Sequence, residues 1–146
     1  MTAAHWHLIV NHLPIIGTTI STFILIAGLL LKNNQMKLVS IVFLVIMSIF
    51  GFIAHETGEK AEHALRKDPT INEAALEAHE EASKPAFMVH NIVGLLSIIS
   101  LALYRKRRKA FRVLAICIVA FSLTAAGLMS YAGYLGGKIR HVEISS

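Results

Sequence analysis

Two histidines sit in motifs that mirror each other in the sequence. Ser48-Ile-Phe-Gly51-Phe-Ile-Ala-His55 ends one apolar segment, and His90-Asn-Ile-Val-Gly94-Leu-Leu-Ser97 begins the next. Residues three and four apart share a helical face, so each histidine lies on a face with a glycine and a serine. In antiparallel membrane helices both histidines would lie at one depth. The motif predicts either small-residue helix packing or a pocket for a flat cofactor, most simply a b-type haem.

Four long runs without Asp, Glu, Lys or Arg must position these residues. The sequence is 55% hydrophobic and 16% charged, and each run is close to the length of about 20 residues that crosses a bilayer. Four such spans with short connections predict an all-α fold, an integral membrane four-helix bundle. We expect a single domain over residues 1–146, with spans at about 8–31, 38–55, 86–104 and 110–134.

The charges of the connections predict the topology. Segment 105–112 has six basic residues and 32–37 has two, whereas 56–84 has eight acids against four bases. The positive-inside rule places the two basic loops in the cytoplasm of a bacterial inner membrane, with both termini on the periplasmic side. The basic run is explained as an anchor on anionic lipid, so nucleic acid is not an expected partner.

Segment 56–84 is expected to project outward as a helical hairpin between the second and third spans. Helical spacing continues beyond His55, and the stretch 71–83 is rich in Ala and Glu, which favour helix. Two prolines interrupt the helical pattern: Pro14 predicts a kink in the first turns of the first helix, and Pro85 predicts a kink or a restart before the third span.

All eight histidines fall on the outer side of this predicted topology. Ionisable residues close to a membrane core indicate a functional site. A b-type haem takes two imidazoles from the protein, so one or two haems are expected. The predicted ligands are histidines near the outer ends of the spans, with small residues to admit the ring and an arginine for the propionates: His12, His90, His55 and His141, Gly51 and Gly94, and Arg140.

Two alternatives remain open at this point. Mixed histidine and carboxylate ligands suit a non-haem Zn, Fe or Cu site, used for hydrolysis or metal handling. Its predicted ligands are His63, His79, Glu59 and Glu62. The other alternative is a histidine cluster without a cofactor that titrates near neutral pH as a sensor.

Several motifs resemble those of a family of small bacterial four-helix membrane proteins of unassigned function. They are Asn11-His12-Leu-Pro14, Thr57-Gly58-Glu59-x-Ala61-Glu62, His79-Glu80-Glu81 and Gly136-Gly137-Lys-Ile-Arg140-His141-Val-Glu143-Ile. The spacing of His7 and His12 ahead of Pro14 also resembles a broader membrane family in which a further histidine opens the third helix, as His90 does. The chain departs from the closer relatives in His55, His63 and His90.

The resemblance implies electron transfer, since some relatives look fused to cytochrome c-like domains. Because two axial imidazoles leave iron no open position, electron transfer is favoured over a hydrolase or another enzyme. The expected partners are the lipid bilayer, a quinol or another membrane electron donor and an outer-side cytochrome, with a homo-oligomer as a further expected assembly.

Overall fold

The computed structural model describes residues 3–139, and over these residues it is built of helices joined by turns. The all-α fold predicted from the sequence is confirmed. The helices are α1 (Ala3–Val10), α2 (His12–Leu30), α3 (Asn34–Leu65), α4 (Glu73–Leu103) and α5 (Arg108–Gly137). Four segments within 3–139 are long and apolar enough to cross a membrane: His5–Leu30, Asn34–Leu65, Glu73–Leu103 and Arg108–Gly137.

The four long helices form a closed ring of neighbours. Helix α2 packs against α3 and α5, and α4 packs against the same two helices, while the short α1 packs against α3 and α2. Short connections make consecutive helices antiparallel. One end of the bundle therefore carries the α2–α3 and α4–α5 connections, and we call it the basic end. The opposite end carries α1 and the α3–α4 connection, and we call it the histidine end.

Asparagine side chains begin two of the long helices. The Asn33 side chain accepts hydrogen bonds from the backbone N–H groups of Gln35 and Met36, at 2.9 and 3.1 Å. The Asn72 side chain accepts from Ala75 N at 3.1 Å. Each bond satisfies an N–H group that has no partner inside its helix. These caps fix where α3 and α4 begin.

The two prolines have different effects. Helix α1 ends at Val10, and Asn11 separates it from α2. Pro14 has no N–H for the Val10 carbonyl, and the interruption at Asn11 lies three residues before it, in the first turns where the sequence predicts a kink. Pro85, in contrast, lies inside α4, which runs from Glu73 to Leu103 without ending. A restart at that proline is therefore wrong, and the helix 71–83 and the third span are one element.

Small residues, many of them polar, fill much of the centre of the bundle, and large apolar side chains cover its outside. Leu30 and Leu31 are 78% and 70% exposed. Buried positions along the helices include Thr18, Ser21, Thr22, Gly28, Ser40, Gly51, Ser97, Ser100, Ala115, Ser122 and Ala125. This distribution suits lipid around the bundle, because small residues let membrane helices approach closely while lipid solvates the apolar exterior.

A substitution at Gly28 tests the close packing of α2 on α3. An added Cβ would lie 2.9 Å from the backbone nitrogen of Lys37, whereas at Gly127 it would meet nothing within 4 Å. We expect Gly28→Ala to lower the free energy of unfolding by about 1–3 kcal/mol, because α2 and α3 must separate.

The matched control, Gly127→Ala, is expected to be neutral or to stabilise by about 0.5–1 kcal/mol through helix propensity. Denaturant unfolding in detergent micelles measures both variants. Equal stabilities for the two variants would contradict the packing of α2 on α3.

Candidate functional site

A cavity of about 210 Å³ lies at the histidine end, between the helices. Four of the histidines line it: His7 of α1, His55 of α3, and His79 and His90 of α4. Its other walls are mainly apolar, with carboxylates on the same side as the α3–α4 connection: Ile15, Leu65, Leu76, Phe87, Met129 and Ile139, with Glu59, Glu62 and Glu80. The structure thus gathers imidazoles from three helices around one cavity.

His7 and His79 are held in the same way. His7 Nδ1 lies 2.9 Å from the carbonyl oxygen of Ala54, and His79 Nδ1 lies 2.7 Å from that of Ala132. A carbonyl only accepts hydrogen bonds, so each Nδ1 carries the proton and each Nε2 keeps its lone pair. The two ring centroids are 6.3 Å apart, with an angle of 71° between the ring planes. Both rings therefore have a nitrogen available for a ligand.

Each of these rings lies against a glycine on the helix that it bonds. A Cβ at Gly58 would be 3.0 Å from His7 Cε1, and a Cβ at Gly136 would be 3.1 Å from His79 Cε1. The bonded carbonyls belong to the residues four positions earlier, Ala54 and Ala132. A helical carbonyl points towards residue i+4, so glycine at that position gives the imidazole access to the second lone pair of the oxygen.

His90 repeats this arrangement in the interior of the bundle. It is 1% exposed, and its Nε2 donates to the carbonyl oxygen of Met47 at 3.0 Å, four residues before Gly51. A Cβ on Gly51 would overlap the His90 ring, and one on Gly94 would overlap the Ser48 side chain. The mirrored motif therefore packs against itself, and the space expected for a flat ligand is filled by the chain.

The Nδ1 atom of His90 is buried and has no hydrogen-bond partner among residues 3–139. Since Nε2 carries the proton, Nδ1 is an acceptor without a donor. Buried polar atoms are nearly always satisfied, so this atom marks a place where a water molecule or a ligand group would be stabilised.

The other predicted haem ligands occupy different surroundings. His12 is exposed and does not line the cavity. His55 lines it, stacks on Phe87 with ring centroids 3.8 Å apart, and has Nε2 3.4 Å from a Glu59 oxygen. The predictions for His141 and Arg140 fall outside the described residues.

Two of the three carboxylates at the cavity, Glu62 and Glu80, are held by cations. Arg66 binds Glu62 and Glu80 at 2.9 Å each, and Lys84 binds Glu80 at 2.7 Å. Hydrogen bonding to Glu62 raises the pKa of Arg66 above its ordinary value. This network joins the end of α3 to α4 beside the cavity. His63, predicted as a non-haem ligand, is exposed and outside the lining.

Within residues 3–139, no group of three or more His, Cys, Asp or Glu residues is arranged to hold a metal ion. What the structure brings together is the pair His7 and His79, which the sequence did not single out. The sequence feature that could have indicated this pair is the four-residue spacing of small residues, Ala54 with Gly58 and Ala132 with Gly136. This spacing marks a helix that admits a neighbour closely.

Almost the whole chain matches a known protein family. A family model described as "Predicted membrane protein (DUF2231)" matches residues 4–142. The comparison with curated proteins gave no match, and neither did that with solved structures. The match confirms the resemblance to a small membrane-protein family of unassigned function.

Gly136→Ala tests how His79 is held. The added methyl group would press on the ring, so the hydrogen bond to Ala132 must lengthen. We expect a loss of about 1–3 kcal/mol in the free energy of unfolding. The control is Gly137→Ala, where a Cβ meets nothing within 4 Å, and it should stay within about 0.5 kcal/mol of wild type.

A double-mutant cycle assigns this loss to the imidazole. In a His79→Ala background the cost of Gly136→Ala should disappear, because the methyl group has no ring to displace. The same cost with and without the imidazole would contradict the contact.

Proposed function

This chain belongs to the DUF2231 family of predicted membrane proteins, and we propose that it transfers electrons through a b-type haem held by His7 and His79. One observation carries the proposal. Two imidazoles on separate helices share a cavity, each with Nδ1 bonded to a backbone carbonyl and Nε2 available. Metal-ligating histidines typically donate their second ring nitrogen to a carbonyl in this way, which fixes the tautomer and the ring orientation.

The separation of the rings supports one metal between them. Two imidazoles on opposite sides of one metal have centroids about 6 Å apart, from a metal–nitrogen distance of about 2 Å and about 1 Å from nitrogen to ring centre on each side. The observed separation is 6.3 Å. Haem iron can be held by two imidazoles of the protein, and His7 and His79 would be the residues that hold it here.

The side-chain types that line the cavity, though not its volume, suit a macrocycle that is apolar over most of its surface. Leucine, isoleucine, phenylalanine and methionine side chains line it together with alanines and glycines. A bound haem b would supply one-electron exchange between ferric and ferrous iron. With both axial positions taken by imidazole, this site would favour electron transfer over oxygen chemistry. A membrane quinol is the donor class that fits a site within the bundle, and an outer-side cytochrome fits as the acceptor.

The volume of the cavity favours a second candidate. At about 210 Å³ it is smaller than most pockets for organic ligands, which enclose about 300–1,000 Å³. A single Zn, Fe or Cu ion with water ligands would need less room than a haem. His7 and His79 would then be the protein ligands of a non-haem centre at the same place.

Single alanine variants separate the assignments. We expect His7→Ala and His79→Ala each to lose haem, or to convert a low-spin spectrum to high-spin, because one axial position opens to water. His63→Ala is the matched control, since His63 lies at the same end of the bundle, on α3, but is exposed and outside the cavity lining. Haem content, measured by absorption after purification from cells supplied with haem, should be unchanged in this variant.

Two outcomes would contradict the haem assignment to this pair. If His12→Ala loses haem and His7→Ala keeps it, the axial ligand would be on α2 and not on α1. Retention of a bound metal without haem, lost on replacing His7 or His79, would establish the non-haem candidate instead.

The direction of transfer depends on the side that the histidine end faces. Segment 56–84 has an excess of acids and the two basic loops lie at the opposite end, so the histidine end should face outward. In a Cys117→Ser background, a cysteine replacing the exposed Glu77 should react with a membrane-impermeant thiol reagent in spheroplasts. A cysteine replacing Lys109 should react only after lysis. The reverse pattern would contradict the proposed topology.

A further inference from the structure

A second cavity, of about 550 Å³, lies at the basic end, opposite the histidines. It is formed where α2 ends, α3 begins, α4 ends and α5 begins. Nine residues line it, and five of them are cationic: Lys32, Lys37, Arg105, Arg108 and Arg112. We call these five residues and the cavity between them the basic pocket. The remaining lining is Leu29, Asn34, Tyr104 and Phe111.

The charge of the basic pocket is not balanced within the part of the chain that the structure describes. The lining contains no carboxylate, and none of its five cations forms an ion pair with a residue in 3–139. Five positive charges around one cavity repel one another, although water screens part of this repulsion because four of the five side chains are exposed. An anion in the pocket would relieve this repulsion.

Lys37 differs from the other four cations of the basic pocket because most of its side chain is buried. It is only 6% exposed, although its residue type is almost never buried unless it is paired. Its ammonium lies 5.9 Å from the centre of the Phe111 ring, at the outer limit of a cation–π contact. The stem of Lys37 is therefore buried, and its ammonium has no counter-ion among residues 3–139. Lys37 lines the pocket, so a ligand there could supply the missing negative charge.

We propose that the basic pocket binds the phosphate group of an anionic phospholipid. Lysine and arginine side chains at the end of a membrane span are the groups that recognise lipid phosphate. Apolar surface for the acyl chains lies beside the pocket, where Leu30, Leu31 and Val113 are 78%, 70% and 60% exposed. A soluble phosphate would use the same cations but would leave this apolar surface unused.

The size of the cavity fits a headgroup. Its volume lies within the range of about 300–1,000 Å³ typical of ligand sites. The lining also includes the Tyr104 and Phe111 rings, which pack edge to face with centroids 4.9 Å apart. The lining therefore combines apolar groups, these rings and Leu29, with the five cations. Such a mixture of apolar and cationic groups suits a lipid at the membrane boundary.

Native mass spectrometry of the detergent-released full chain tests the proposal, with phosphatidylglycerol and phosphatidylcholine as probes. We expect the first phosphatidylglycerol to bind about tenfold more tightly than phosphatidylcholine. Lys37→Met and Arg112→Gln should each weaken phosphatidylglycerol about tenfold, the usual effect of losing one charge-assisted hydrogen bond. Arg112 is exposed, so its variant remains informative if Lys37→Met does not fold.

Arg107→Gln and Lys109→Gln are the matched controls, because both residues lie in the same basic run but outside the lining. Each should keep binding within about twofold. Equal losses in the pocket and control variants would overturn the proposal in favour of diffuse surface charge, as would equal affinity for the two lipids. Displacement of phosphatidylglycerol by an equal concentration of glycerol 3-phosphate would overturn the assignment to a lipid.

Discussion

A histidine ring can bond a helical carbonyl only where the side chain four residues further along leaves room, and this requirement shapes the histidine end. It is met three times, by His7 on Gly58, His79 on Gly136 and His90 on Gly51. These three hydrogen bonds connect α1 to α3, α4 to α5, and α4 to α3. In a low-dielectric interior such bonds are costly to leave unmade. They hold the helices in register and leave two rings with a free nitrogen at the cavity.

Close approach of the helices also determines how the rest of the bundle packs. Apolar bulk faces outward and glycine, alanine, serine and threonine face the neighbouring helices. Packing of this kind draws helices close without a hydrophobic driving force between them. A cavity lies at each end of the bundle, and the two differ in chemistry: imidazoles and carboxylates line the one at the histidine end, and cations without ion pairs among residues 3–139 line the one at the basic end. The ends therefore differ in the ligands they can hold, although the helices are shared.

The fold was largely predictable because charge-free runs near the length of a bilayer leave few alternatives to membrane helices. The site was not. His7 and His12 are five residues apart, about 140° around a helix, so they lie on different faces. This spacing does not say which of the two histidines faces the cavity. The outcome was an exposed His12 and a His7 at the cavity. Gly51 and Gly94 were recognisable as places of close approach, but only the packing of α3 on α4 decides that side chains fill them. Helix rotation depends on such long-range contacts, which residue spacing does not contain.

The proposed function requires that His7 and His79 share one metal centre in the native protein. Its most direct measurement is the absorption and electron paramagnetic resonance spectrum of the wild-type protein, purified from cells supplied with haem. We expect about one low-spin haem per chain, whose visible bands shift on reduction. The 71° angle between the rings further predicts a strongly anisotropic low-spin ferric signal. A colourless protein without bound transition metal, although haem was supplied, would contradict the claim.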